Sequence, residues 1–187
     1  MHRLPKLAAL VVATAGTILL SGCNSGSNPM APDNSGPPPV TIKTPTGLIV
    51  SSIAVTKWPS TTLSGAEWDV SIFPSARRPD LYVVLTEDGH IPDYTSNVIT
   101  DSVYGTVYTF TKSYSVYDGA LPTKIPYDTS RRVYVMDQDV GGDPDRLGWI
   151  TVNVPKAYQN DNASAMDYTY TDSGNRLSVR VRGTWTY

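Results

Sequence analysis

Leu177, Val179, Val181 and Trp185 alternate with Ser178, Arg180, Arg182, Thr184 and Thr186. A repeat of two residues is the pleat of a β-strand with one face on a core and the other in water. The same alternation places Ile150, Val152 and Val154 against Thr151 and Asn153. Residues 81–85 are apolar on both faces, as in a strand at the centre of a sheet. Further strands are expected at 48–57, 104–111 and 132–136, and shorter ones at 96–100, 114–117 and 167–171. Prolines 59, 74, 79, 92, 122, 126, 144 and 155 lie between or at the ends of these runs, where a strand tolerates them. Only residues 157–166 read as a short helix, and helical periodicity is otherwise nearly absent. Seven to nine strands so spaced predict an antiparallel β-sandwich over residues 46–187.

The first 45 residues read differently. Arg3 and Lys6 precede fourteen uncharged residues, 7–20, which is the layout of a secretory signal. A spanning helix needs about 20 apolar residues, so this run is too short to cross a bilayer. It ends in Leu20-Ser21-Gly22-Cys23, and Cys23 is the chain's one cysteine. This segment resembles a bacterial lipobox. The resemblance implies removal of residues 1–22, a diacylglyceryl group and palmitate on Cys23, and attachment to a membrane through those acyl chains. The alternative is an ordinary signal peptide with a chance cysteine. Asn24 follows where an aspartate would signal retention, so by similarity to Gram-negative sorting the expected location is the envelope's outer membrane. Thirteen of the sixteen residues 24–39 are Pro, Ser, Asn or Gly. Such a segment cannot bury apolar surface, so residues 23–45 are expected to be a flexible tether.

Composition removes several functions. One cysteine rules out an intramolecular disulfide and cysteine-rich zinc sites. A net charge of −2 argues against nucleic-acid binding through bulk positive charge. His2 belongs to the signal segment, which leaves His90 in Glu87-Asp88-Gly89-His90, a hairpin-turn sequence rather than a base. There is no Gly-x-Ser-x-Gly and no His-Glu-x-x-His, so no enzyme is expected and a carboxylate-based hydrolase is the remaining catalytic alternative. Trp58, Trp68, Trp149 and the tyrosines suit either carbohydrate binding or a sandwich core.

Aspartate outnumbers glutamate 15 to 2, a bias towards turns and hard-cation sites. Asp137, Asp139, Asp143 and Asp145 fall within nine residues. A strand delivers them, Gly141, Gly142 and Pro144 let the loop curl, and residues 149–154 carry the chain away. Several carboxylates in one loop repel unless a cation sits among them, and an all-oxygen set suits calcium. An EF-hand starting at Asp137 fails, because Gly141 and Gly148 stand where ligands are needed. For Asp143, a plain turn before proline explains the residue equally well.

The spacing Asp137, Asp139, Asp145, Gly148 after a strand resembles the third calcium loop of a C2 domain. Pro79-Asp80-Leu81-Tyr82-Val83 is similar to the end of that family's first loop, with the proline moved ahead of the aspartate. The resemblance implies an eight-stranded antiparallel β-sandwich, C2-like, with calcium on Asp80, Asp137, Asp139 and Asp145. Asp69, in Gly65-Ala66-Glu67-Trp68-Asp69, stands in for the family's usual first-loop partner, since position 74 is proline. The family's lysine-rich lipid-binding strand has no counterpart, because the middle strands offer only Lys112. Arg77 and Arg78 lie beside the implied site and either meet an anionic partner or balance the aspartates. The expected role is calcium-dependent binding of an anionic lipid, glycan or protein partner at the loops. A purely structural calcium with recognition on a sheet face, and an ion-free turn, are the alternatives.

Overall fold

The computed structural model describes residues 43–62, 64–68, 78–115, 117, 119–139, 143–160 and 165–187. They fall within one unit, Ile42–Tyr187. The expected signal segment, Cys23 and the tether up to residue 42 lie outside the described residues, as do Asp69 and Arg77.

Two antiparallel sheets form the domain. The first is built on β1 (Gly47–Lys57) and β9 (Ser178–Thr186), paired along nearly their whole length from Gly47↔Thr186 to Lys57↔Ser178. β8 (Ala165–Thr171) continues the sheet beyond β9. β4 (Tyr108–Phe110) and β5 (Thr123–Pro126) share the other edge of β1, at Ile53–Val55 and Gly47–Val50. The second sheet runs β3 (Pro92–Thr95), β2 (Leu81–Thr86), β6 (Ser130–Asp137) and β7 (Asp145–Asn153). The fold is thus the expected antiparallel sandwich, with nine strands among the described residues where eight were implied.

The period-two pattern explains the core. Leu177, Val179, Val181 and Trp185 are buried, while Arg182 and Thr184 face water. They meet Val83, Leu85, Val133, Val135, Ile150 and Val152 of the second sheet in one cluster with Leu48, Ile53 and Phe110 of the first. β2 lies between β3 and β6 with both edges paired, and its residues are buried on both faces save the half-buried Val84, in keeping with its unbroken apolar run. Trp58 and Trp68 belong to this core, and the Trp68 indole N–H donates to the Pro59 carbonyl at 3.0 Å.

Four local expectations need correction. Residues 96–100 form no strand; Ser96 and Ile99 make isolated bridges to Ser113 and Leu81, and the strand lies earlier, at Pro92–Thr95. Of 104–111 only Tyr108–Phe110 is strand. The described residues of 114–117 are turn or bend. The helix α1 is Val154–Asn160, three residues ahead of its expected start, and Met166 belongs to β8 with its side chain buried. Asn153 sets that start, because its side-chain oxygen accepts the Lys156 amide at 2.9 Å, an N-cap bond. Pro155, read as a strand terminator, stands in the first turn, where its missing N–H costs nothing.

Candidate functional site at the acidic end of the sandwich

The second sheet brings three of the predicted aspartates to one end by register alone. Asp137 closes β6, Asp145 opens β7 directly opposite it, and Leu81, which opens β2, is Asp137's partner on the other side. Asp80 immediately precedes Leu81. Asp139 follows two residues after Asp137, within the loop that crosses to β7. Residues 140–142 of that loop lie outside the described residues.

The four differ sharply in environment. Asp137 is fully buried, and one of its carboxylate oxygens accepts the Asp80 amide at 2.6 Å. The Asp80 carbonyl in turn accepts the Gln138 amide at 3.0 Å, which locks the two chain segments together. One carboxylate oxygen of Asp80 accepts the Asp101 amide at 2.7 Å. Asp101 sits in the left-handed region at φ 51°, a conformation that aspartate tolerates better than most residues. Asp145 and Asp143 are exposed.

Asp139 is held above the ordinary carboxylate range. Desolvation is the largest cause, followed by the charges of Asp145 and then Asp80, with a hydrogen bond from the Asp145 backbone acting in the opposite sense. The Tyr82 phenol is pushed up, mainly by burial and secondarily by the Asp137 charge. Negative charge is therefore concentrated here against a physical cost, and a bound cation would relieve it.

The donor chemistry fits calcium, since carboxylate oxygens are what a hard cation takes. The geometry among the described residues is less complete, because no three His, Cys, Asp or Glu side chains converge tightly enough to hold a metal ion. Asp137 and Asp80 each commit an oxygen to a backbone amide, which makes them clamps between β6, β2 and the 101 turn as well as candidate ligands. Asp69, the remaining predicted ligand, lies outside the described residues.

Asp101 was not singled out in the sequence. Its only signal was an aspartate in a short polar turn, and its link to Asp80 crosses 21 residues. His90 sits in the β2–β3 turn, as its sequence indicated; its amide and that of Ile91 donate to Asp88 at 2.8 and 3.2 Å. Those two backbone bonds are the main reason the Asp88 carboxyl lies below its ordinary range.

No protein-family model matches the chain, and no characterised protein matches it in sequence. Solved structures do resemble it in fold. One is an isolated C2 domain, 12% identical, covering 76% of this chain and 99% of its own at a TM-score of 0.42. A second is the calcium-bound pair of C2 domains from extended synaptotagmin 2, 18% identical, with 77% and 47% covered and a TM-score of 0.43. A third is human GIVD cytosolic phospholipase A2 with an inhibitor, 11% identical, with 77% and 18% covered and a TM-score of 0.43. This chain thus spans less than a fifth of the phospholipase and under half of the synaptotagmin fragment. The likeness is one of fold.

Proposed function

We propose that this chain is a lipid-anchored, non-catalytic, calcium-binding β-sandwich of a bacterial envelope. It holds its acidic loops away from the membrane on a tether from Cys23 and binds an anionic lipid, glycan or protein partner there when calcium is present. The observation that carries the reading is the juxtaposition of Asp80, Asp137, Asp139 and Asp145 at one end of the second sheet, with the Asp139 carboxyl raised first by desolvation and then by the charges of Asp145 and Asp80. Calcium would draw further oxygens from the loops on either side.

Calorimetric titration with calcium in the millimolar range tests it, because extracellular modules bind at about 10⁻⁴–10⁻³ M. The expected result is a binding heat and a raised melting temperature. The gain is roughly 2.7 kcal/mol at a hundredfold excess over Kd. Magnesium should substitute poorly, since it prefers a tighter octahedral shell with retained water. Absence of both heat and melting shift would reduce the aspartates to turn formers and clamps. The anchor is tested separately: labelled palmitate should enter the wild type and not Cys23→Ser, and equal labelling of both would sink it.

A further inference from the structure

The two sheets do not close on each other at one side. β7 pairs only with β6 and β8 only with β9, so two edge strands face a groove between them. A cavity of about 580 Å³ lies along it, lined among others by Arg146, Trp149, Thr151, Thr171, Ser173 and Arg176. A second, of about 520 Å³, continues it past Thr151 and Thr171 towards Lys156, Tyr168 and Tyr170. Each falls in the range of cavities that enclose small ligands.

The charges along this groove are one-sided. Among the described residues none of Arg146, Arg176 and Lys156 has a carboxylate within ion-pair distance. The one carboxylate in the lining, Asp172, is occupied as a loop cap, accepting the Arg176 and Leu177 amides at 2.7 Å each. Among the described residues, three cations without an ion-pair partner thus face a single carboxylate in the lining, an excess of positive charge in a chain whose net charge is −2. Arg146 is also held in place. Its guanidinium lies 4.5 Å from the Tyr134 ring centre and 5.8 Å from that of Trp149. Trp149 is 52% exposed, unlike Trp58, Trp68 and Trp185, so its indole is a platform rather than core. Further along, the Tyr170 hydroxyl is buried without a hydrogen-bond partner among the described residues.

We infer that the groove between β7 and β8 binds an acidic saccharide. A sugar ring carrying a carboxylate offers what this lining takes: a C–H face for the Trp149 indole, hydroxyls for Thr151, Thr171 and Ser173, and anions for the cations. An acidic peptide offers the anions but no ring face. The groove starts at Arg146, next to Asp145 of the acidic end, and runs from there towards Lys156; none of Asp80, Asp137, Asp139 and Asp145 lines it, and binding of the saccharide does not require calcium.

The test is calorimetry of the full chain with a short oligogalacturonate, in EDTA, against the methyl-esterified oligomer and a glutamate peptide of equal charge. The free acid should bind, weaken as salt rises, and exceed both competitors by at least tenfold. Trp149→Ala, Arg146→Gln and Lys156→Gln should each lose about tenfold at unchanged melting temperature. Tyr117→Ala, which removes a tyrosine 94% exposed elsewhere, should leave binding intact. No binding, equal binding of the ester, equal binding of the peptide, or full affinity in Trp149→Ala would each overturn the inference. Because calcium is absent throughout, failure here is separate from failure of the calcium reading.

Discussion

Val179 and Arg180 are neighbours in β9 with opposite surroundings. Val179 is fully buried, opposite Val55 on one side and Tyr170 on the other. Arg180 points away from the core and pairs with Asp167 at 2.5 Å. Val179→Asp would place an unpaired carboxylate among apolar side chains, at a cost on the order of 3 kcal/mol or more. Arg180→Asp would lose a surface pair and set two carboxylates near each other in water, where screening blunts the effect. Thermal melts should show a large drop for the first variant and a much smaller one for the second; equal drops would mean that the strand's faces are misassigned. One buried cation breaks the rule that charge stays outside. Arg131 of β6 is 7% exposed, and it pairs with Asp93 at 2.7 Å and Glu87 at 3.1 Å. Its parity with Val133 and Val135 puts it on the inward face, unlike the exposed Arg132 beside it, but the partners that satisfy it come from the neighbouring β2–β3 hairpin and were not legible locally.

The long strands were legible because alternation, or an unbroken apolar run, over five or more residues leaves little choice of face, and β2, β6, β7 and β9 all carry such a pattern. The four-residue strands β3 and β5 were not legible. β3 opens on Pro92 and β5 closes on Pro126, so local chemistry argues against both. What makes β5 a strand is the free edge of β1 at Gly47–Val50, a partner more than 70 residues away. The 96–100 segment failed for the converse reason: Ile99 fits a strand pattern, yet the chain turns at Thr100 and Asp101 and leaves only single bridges. At the acidic end, the spacing of Asp137, Asp139 and Asp145 reported their shared location, because β6 and β7 are joined by a short loop. It could not report that Asp137 is buried and clamps the Asp80 amide, since that depends on β2 pairing across 57 residues. The groove between β7 and β8 was equally hidden; the alternation with Ile150 and Val152 turns Trp149 outward, but that it borders a groove depends on β8 lying across from the β7 edge.

For the molecule as a whole, the concentration of charge at one end ties stability to pH and to calcium in a way that can be separated from its other carboxylates. Asp139 has a raised pKa in the fold, so the folded state holds that proton more tightly than the unfolded chain. Stability should therefore fall as pH rises from the ordinary aspartate value through the raised one. Asp88 and Asp167 act in the opposite direction and in another window. Both are lowered, the first chiefly by the His90 and Ile91 amides and the second by Arg180, so their contribution is present above the ordinary value and is lost only below it. A melting profile of the calcium-free protein should therefore decline on the alkaline side of the aspartate range as well as in strong acid. Asp139→Asn should remove the first decline, leave the second, and raise the melting temperature of the calcium-free protein near neutral pH. With calcium the order should reverse: the cation offsets the repulsion in the wild type, and the amide variant gains less. If Asp139→Asn leaves the pH profile unchanged and gains as much from calcium as the wild type, neither the repulsion nor the ion depends on the 139 carboxylate.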